Sequence, residues 1–306
     1  MATPERGRAA APVLALVANA FVWGVSWWPL RELQSHGLHP LWATAGVYLA
    51  VLATLALLQP RAWRGLAGHP ELLWLMAAAG LTNVGFNWAV TVGDVVRVVL
   101  LFYLMPAWSV LLAWPLLGER PTPAALLRLA LALAGVLVIL KTPDTPWPLP
   151  ESLADGLALL GGFSFALTNI LLRRLHRTPS STRVIAMFIG GALAATAVGL
   201  LGVVQGLVPA PVALPPGALL VAGLLGLAFL LGNSALQYGA ARLAAQTTAL
   251  VMLSEVLFAS LSAVLAGAAQ MSGRTWVGGA LVVAAAAWSA WAAPGEDRAG
   301  AAQSAA

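Results

Sequence analysis

Ten apolar runs, near 11–31, 40–58, 72–92, 95–117, 123–140, 153–172, 184–206, 217–239, 243–267 and 275–293, take up most of this 306-residue chain. Each approaches the roughly 20 apolar residues that a helix needs to cross the hydrocarbon core of a bilayer. Hydrocarbon offers no partner to backbone N–H and C=O groups, so successive runs of this kind fold as α-helices. Composition agrees: 60% hydrophobic and 9% charged residues, with 13 Trp, 30 Gly and a mean hydropathy of +0.86, exclude a water-soluble globule. The absence of Cys excludes disulfides, thiolate metal sites and thiol nucleophiles together. The net charge of +5 comes from arginines scattered through the gaps rather than from a basic cluster, so a nucleic-acid partner is not expected.

Those arginines set the expected orientation. With a cytoplasmic N-terminus the inside gaps hold Arg6, Arg8, Arg61, Arg64, Arg120, Arg128, Arg173, Arg174, Arg177, Arg183, Arg242 and Arg298. The outside gaps hold only Arg31, Arg97, Lys141 and Arg274. Both termini are therefore expected inside a bacterial-type inner membrane. The run after Arg6 and Arg8 passes Ala18-Asn19-Ala20, a leader-like sequence, but continues through Trp27-Trp28, so an uncleaved first span is expected.

The segment Thr142 to Pro150 holds four prolines and cannot continue a helix. It predicts a linker at 143–150 between a first five-helix unit, 1–142, and a second, 151–306. Phe21-Val22-Trp23-Gly24 through Leu33 aligns with Phe163 through Leu175 at a shift of 142, and Met105-Pro106-Ala107 through Glu119 aligns with Ser254-Glu255-Val256 through Ala268 at a shift of 149. An odd number of spans per repeat inverts the second half in the membrane. The expected fold is thus an all-α membrane protein of ten transmembrane helices in two inverted five-helix repeats, an architecture associated with alternating access.

Trp23-Gly24 in span one, Pro106 and the Leu117-Gly118-Glu119-Arg120 that closes span four, and Phe165-Ala166-Leu167-Thr168-Asn169 through Arg173-Arg174 in span six resemble the EamA-type ten-helix members of the drug/metabolite transporter superfamily. The resemblance covers essentially the whole chain. The aromatic first span and Glu255-Val256 look most like the YddG-type amino-acid exporters. The resemblance implies export of small metabolites.

Polar side chains inside spans must face the bundle interior or a wet cavity, so they outline a candidate site. Asn83 and Asn87 share a face of span three with Phe86 beside them, and Asn233 and Gln237 share a face of span eight at a shift of 150. Such amides, like Asn169 in span six, serve either as interhelical hydrogen bonds or as cavity lining. Trp23, Tyr103 and Phe165 lie mid-span, where an interface belt does not explain them; they either pack or wall a pocket. Glu255 is the one acid near the middle of a span, read either as a proton-coupling carboxylate or as a neutral structural carboxyl. Its repeat mate Pro106 frees the carbonyl of Phe102, which is expected to turn toward the centre with Tyr103. Asp94 and Arg97 read as a local ion pair at a helix start. Gly202 and Gly206 form a G-x-x-x-G that permits close helix contact or serves packing within one chain.

No metal-ligand spacing, cofactor motif or hydrolase motif occurs, and all four histidines lie in loops, so an intramembrane enzyme is disfavoured. A solute channel or a scaffold compete as non-enzymatic readings. The expected partners are the bilayer and a small-molecule substrate. Aromatic faces and amides without a mid-membrane Lys or Arg disfavour phosphate esters. They suit a neutral amino acid with a large apolar side chain; a lipophilic cation bound by the rings and Glu255 is the alternative.

Overall fold

The computed structural model describes residues 4–92, 95–141, 150–267 and 273–304. These form helices joined by short turns, with no strand among the described residues. In chain order they are α1 (Pro4–Val25), α2 (Trp27–Ser35), α3 (Pro40–Leu58), α4 (Pro60–Ala67), α5 (Leu72–Val92), α6 (Val95–Phe102) and α7 (Met105–Leu117). Then follow α8 (Pro123–Leu140), α9 (Leu153–Arg174), α10 (Ser180–Val204), α11 (Pro216–Ala240), α12 (Ala245–Met252), α13 (Glu255–Leu265) and α14 (Gly273–Ser304). Every apolar run read as a span falls on one of these helices or on a broken pair. Among the described residues, seven segments are long and apolar enough to cross a membrane, and Pro123–Ile139 and Trp276–Ser289 are shorter apolar helices. Asp94 and residues 143–149 lie outside the described residues, and with them the Asp94–Arg97 pair and most of the expected linker.

Local chemistry fixes the helix ends. Thr122 accepts from the Ala125 amide at 3.1 Å with Pro123 opening α8, and Ser152 with Asp155 forms a reciprocal capping box on α9. Gly118 ends α7 at φ 74, a left-handed position that an L side chain rarely adopts. The Gly202 and Gly206 pair does the same for α10: Gly206 is left-handed at φ 70, and the amides of Leu207 and Val208 both donate to the Gly202 carbonyl. The pair thus serves packing within one chain, which the same motif also allows. A Cβ on Gly202 would collide with the folded-back Val208 of its own chain.

Three apolar runs are broken. Between α1 and α2, the Ser26 hydroxyl donates to the Trp23 carbonyl at 2.7 Å, and Pro29 removes the donor that the Val25 carbonyl would have met. Between α6 and α7, Pro106 has the same effect on Phe102. Between α12 and α13 no proline occurs; the chain tightens instead, with Leu253 and Ser254 donating three residues back, to Leu250 and Val251. Helix α4 is short and was not among the expected elements. It lies against α10, where the Thr182 hydroxyl donates to the Ala62 carbonyl at 3.2 Å.

The most extensive helix contacts join α5 to α9 and α10, α8 to α14, α1 to α11, and α3 to α10. Glycines set the closest of them, since lipid tails give no hydrophobic drive to associate and backbone proximity supplies dispersion instead. A Cβ on Gly85 would stand 2.8 Å from the Gly161 amide of α9. One on Gly80 would stand 2.6 Å from the Gly190 carbonyl of α10, and one on Gly190 would overlap the Met76 carbonyl. Gly190→Ala is therefore expected to lower the melting temperature of the detergent-solubilised protein, at a cost of about 1–3 kcal/mol for overpacking. Gly156→Ala, where a Cβ meets open space on α9, is expected to be neutral or stabilising by about 0.5 kcal/mol.

Candidate functional site

The breaks between α6 and α7 and between α12 and α13 face a central cavity of about 60 Å³. That is room for a few water molecules. Trp23 of α1, Thr82, Asn83, Phe86 and Asn87 of α5, and Phe102 of α6 line it on one side. Phe165 and Thr168 of α9, Met187 of α10, Asn233 and Leu236 of α11, Met252 of α12 and Glu255 of α13 complete the wall. No Lys or Arg is among the lining residues.

Of the residues singled out from sequence, the cavity brings together Trp23, Asn83, Phe86, Asn87, Phe165 and Glu255. Tyr103, Asn169 and Gln237 are buried but do not line it. Tyr103 reaches the site indirectly, through its electrostatic interaction with Glu255. On α11 it is Asn233 that borders the cavity, one turn from Gln237, whose Oε1 is buried without a hydrogen-bond partner. Both polar atoms of the Asn169 side chain are likewise unpartnered. The Phe102 carbonyl does not turn to the centre: it presses on Gly162 of α9, where a Cβ would stand 2.5 Å from that oxygen. The lone pairs freed by Pro106 are thus covered by a glycine rather than offered to a solute.

The amides are positioned from a neighbouring helix. Asn83 Oδ1 accepts from the Tyr48 hydroxyl at 3.1 Å while its Nδ2 donates to the Ala79 carbonyl at 2.9 Å. Asn87 Nδ2 donates to Thr44 Oγ1 at 2.8 Å. Tyr48 and Thr44 both belong to α3, so span two orients the polar face of α5 without bordering the cavity. Both readings of these amides hold at once: they bond between helices and border the central space. Asn233 Nδ2 is held by the Phe229 carbonyl at 3.0 Å.

The rings form two groups. Phe86, Phe102 and Phe165 are in contact, with centroids 4.8 Å apart for Phe86–Phe102 and 6.0 Å for Phe102–Phe165. Trp23 stacks on Phe229 at 4.6 Å. Sequence reasoning missed Phe102, Thr82, Thr168, Met187 and Met252. The threonine hydroxyls donate to carbonyls four residues back, at 2.8 Å for Thr82 and 2.9 Å for Thr168, which satisfies them inside their own helices.

An apolar cluster that includes the lining residues Leu236 and Met252 extends away from the cavity. Leu16, Leu75, Leu172, Leu236 and Leu250 are essentially without solvent contact and belong to one apolar cluster. Beyond them Glu119, just after α7, accepts from the Ala245 amide that opens α12 at 3.1 Å and pairs with Arg173 of α9 at 3.6 Å. One carboxylate thereby ties the end of α7 to the start of α12 and the end of α9. Among the described residues no cluster of His, Asp or Glu could hold a metal ion.

Residues 10–141 match the EamA-like transporter family. Chloramphenicol-sensitive protein RarD of Pseudomonas aeruginosa is 38% identical over 114 residues, a stretch that spans 36% of this chain and 38% of that protein. A solved crystal structure superimposes with a TM-score of 0.73 at 20% identity, covering 93% of this chain and 98% of its own. It shares the fold. With its apolar helices, the chain is a multi-pass membrane protein.

Closure of the cavity by this cluster and by Glu119 can be tested. The chain has no native Cys, so Met252→Cys places a single thiol at the cavity wall. It is expected to react slowly with a membrane-impermeant maleimide added from the Glu119 side. Adding Glu119→Ala removes a helix-start bond and an ion pair, together about 1 kcal/mol, and is expected to speed labelling several-fold. An unchanged rate would assign closure to the leucines alone.

Proposed function

We propose that the chain is a ten-span inner-membrane exporter of small neutral solutes, preferring amino acids with aromatic or large aliphatic side chains. It works by alternating access between two inverted five-helix repeats, 1–142 and 151–306, with both termini cytoplasmic. The observation that carries this reading is the central cavity, whose wall combines aromatic faces, amides and one carboxylate drawn from both halves. Amides and the carboxylate replace water around an ammonium and carboxylate pair, while the rings contact an apolar side chain. The absence of a cationic clamp among the lining residues disfavours phosphate esters.

The inverted repeat is supported by the packing. The broken turns at Tyr103–Leu104 and Leu253–Ser254 lie 150 residues apart, the same offset as Asn83 from Asn233. Exchanging α1, α3, α5, α6–α7 and α8 with α9, α10, α11, α12–α13 and α14 turns the main contacts into one another: α5–α9 becomes α11–α1, and α7–α9 becomes α13–α1. The largest inequality falls in one exchanged pair. Glycines bring α5 and α10 into backbone contact, whereas their mates α11 and α3 meet through side chains, with Tyr48 against Phe229 at 6.0 Å between ring centroids and Val51 near Gly226, whose Cβ would lie 3.4 Å from it. Two related interfaces, one closed and one loose, are what a state caught on one side of an exchange displays. The cavity has room for a few water molecules, and under alternating access the helices part to admit an amino acid.

Glu255 on the cavity wall near Trp23 and Phe165 favours a second reading, export of lipophilic cations. Proteoliposomes separate the two. Saturable uptake and counterflow of Phe, Trp, Leu or Met are expected, with loss of transport in Trp23→Ala and Asn83→Ala at equal reconstitution. Transport confined to an aromatic quaternary ammonium and abolished in Glu255→Gln would replace the amino-acid reading by the cation one. Uptake that never saturates would indicate a channel.

A further inference from the structure

The central cavity is not the larger free space in this molecule. A groove of about 420 Å³ runs between α3 and α11. Both walls are segments apolar enough to cross a membrane, with mean hydropathies of 2.0 and 2.1. The groove offers a ligand no free polar group along its walls: the Trp42 indole N–H donates to the Pro209 carbonyl at 2.8 Å, and the Thr54 hydroxyl donates to the Ala50 carbonyl at 2.9 Å. A polar solute would lose its water there and gain nothing in exchange.

Two glycines make the space. A Cβ at Gly46 or at Gly223 would meet nothing within 4 Å, in contrast to Gly80 and Gly190, where the opposing helix fills the room. Trp42 and Thr54, twelve residues apart on α3, both line the groove, which at 1.5 Å per residue makes it about 18 Å long. One leaflet of a bilayer contributes about 15 Å of hydrocarbon. The Trp42 end lies at the start of α3, where an indole with a bonded N–H suits the headgroup boundary. The groove is also continuous with the lipid-facing surface, since Leu219 and Leu227 of its lining are exposed beside Leu220, Leu224 and Leu231.

We propose that the groove between α3 and α11 is a binding site for one phospholipid acyl chain, entering from the leaflet at the Trp42 end. The occupant is a single chain because the groove matches one leaflet in length and offers only dispersion contacts. Resting on the exchange of interfaces described above, the chain has a consequence: it wedges apart the α3–α11 pair, whose mate α5–α10 is closed, and so stabilises the present state.

The test uses the full-length protein in vesicles of phosphatidylglycerol carrying a small fraction of the same lipid with a photoreactive diazirine on its acyl chain. After irradiation and digestion, adducts are expected to concentrate on residues 42–54 and 219–230. They should exceed those on Leu200 and Leu265, which are exposed apolar residues elsewhere, several-fold. Gly46→Leu and Gly223→Leu, which fill the groove from either wall, are each expected to reduce the adducts several-fold while labelling at Leu200 stays constant. Adducts spread evenly over all exposed apolar residues, or undiminished in both variants, would overturn the site. The wild-type map decides even where a variant fails to fold. It is independent of transport, so vesicles that carry no solute would reject the transport reading and leave the lipid site standing.

Discussion

Hydrocarbon supplies no hydrogen bonds, so a chain that spans it is held to helices whose backbone bonds close internally, and each departure must be satisfied by protein. This chain departs from regular helix at Ser26, at Tyr103–Leu104 and at Leu253–Ser254, and the candidate site lies between the last two. Ser26 and Ser254 return their hydroxyls to carbonyls three residues back, at 2.7 Å in each case, spending polar side chains on local repair. The Phe102 carbonyl has no such donor and is covered by the Cα of Gly162. Breaks in two helices at similar depth bring Tyr103 and Glu255 together, and Glu255 opens α13, where the positive end of the helix favours an acid. The polar chemistry of the site thus follows from where the helices are interrupted.

The all-helical, multi-span character of the chain was legible in its sequence because membrane spans are written in length and hydropathy, which need no tertiary information. What escaped was short. Helix α4 has eight residues and two arginines, too few to register as a span, and its place is fixed only by Thr182 and Gly65 meeting across sequence-distant helices. The site was legible where a residue type was out of place in lipid: Asn83, Asn87 and Glu255 border the cavity. It was illegible where the residue was at home there, as with Phe102, Met187 and Met252, because an apolar side chain in an apolar helix carries no mark of which face it presents. Gln237 shows the limit of the same signal. It shares a helix face with Asn233, yet at its depth the neighbouring Leu236 borders the cavity instead, and which of two adjacent side chains does so is set by how α11 is rotated against its neighbours.

Buried cations in this molecule stay away from the central space. Arg183 is almost fully buried and donates to the Leu172 carbonyl at 3.1 Å, meeting the negative end of α9. Arg128, equally buried, lies over the Trp288 ring at 5.8 Å. Each sits near a helix end, where a long side chain can be satisfied by carbonyls or rings. The cavity is left with neutral donors and one acid, which narrows the solutes it can take more than its shape does.

Exchange between two states of a transporter requires that they lie within a few kcal/mol of each other, or one would trap the molecule. Under the proposed mechanism, opening α5 from α10 forfeits the close backbone contact of Gly80 and Gly190, a loss that must be offset at the related interface. There Gly46 and Gly223, whose Cβ atoms would meet nothing within 4 Å, already stand without side chains between α3 and α11. Their open space is then unused closure: the same kind of contact that holds one side now is available to the other once the helices tilt. A groove lined by glycine is costly to keep empty in a protein interior, since its walls lack partner atoms. Facing lipid, it can be filled by a chain and emptied again, so the bilayer itself can supply the contacts that the second interface has yet to make.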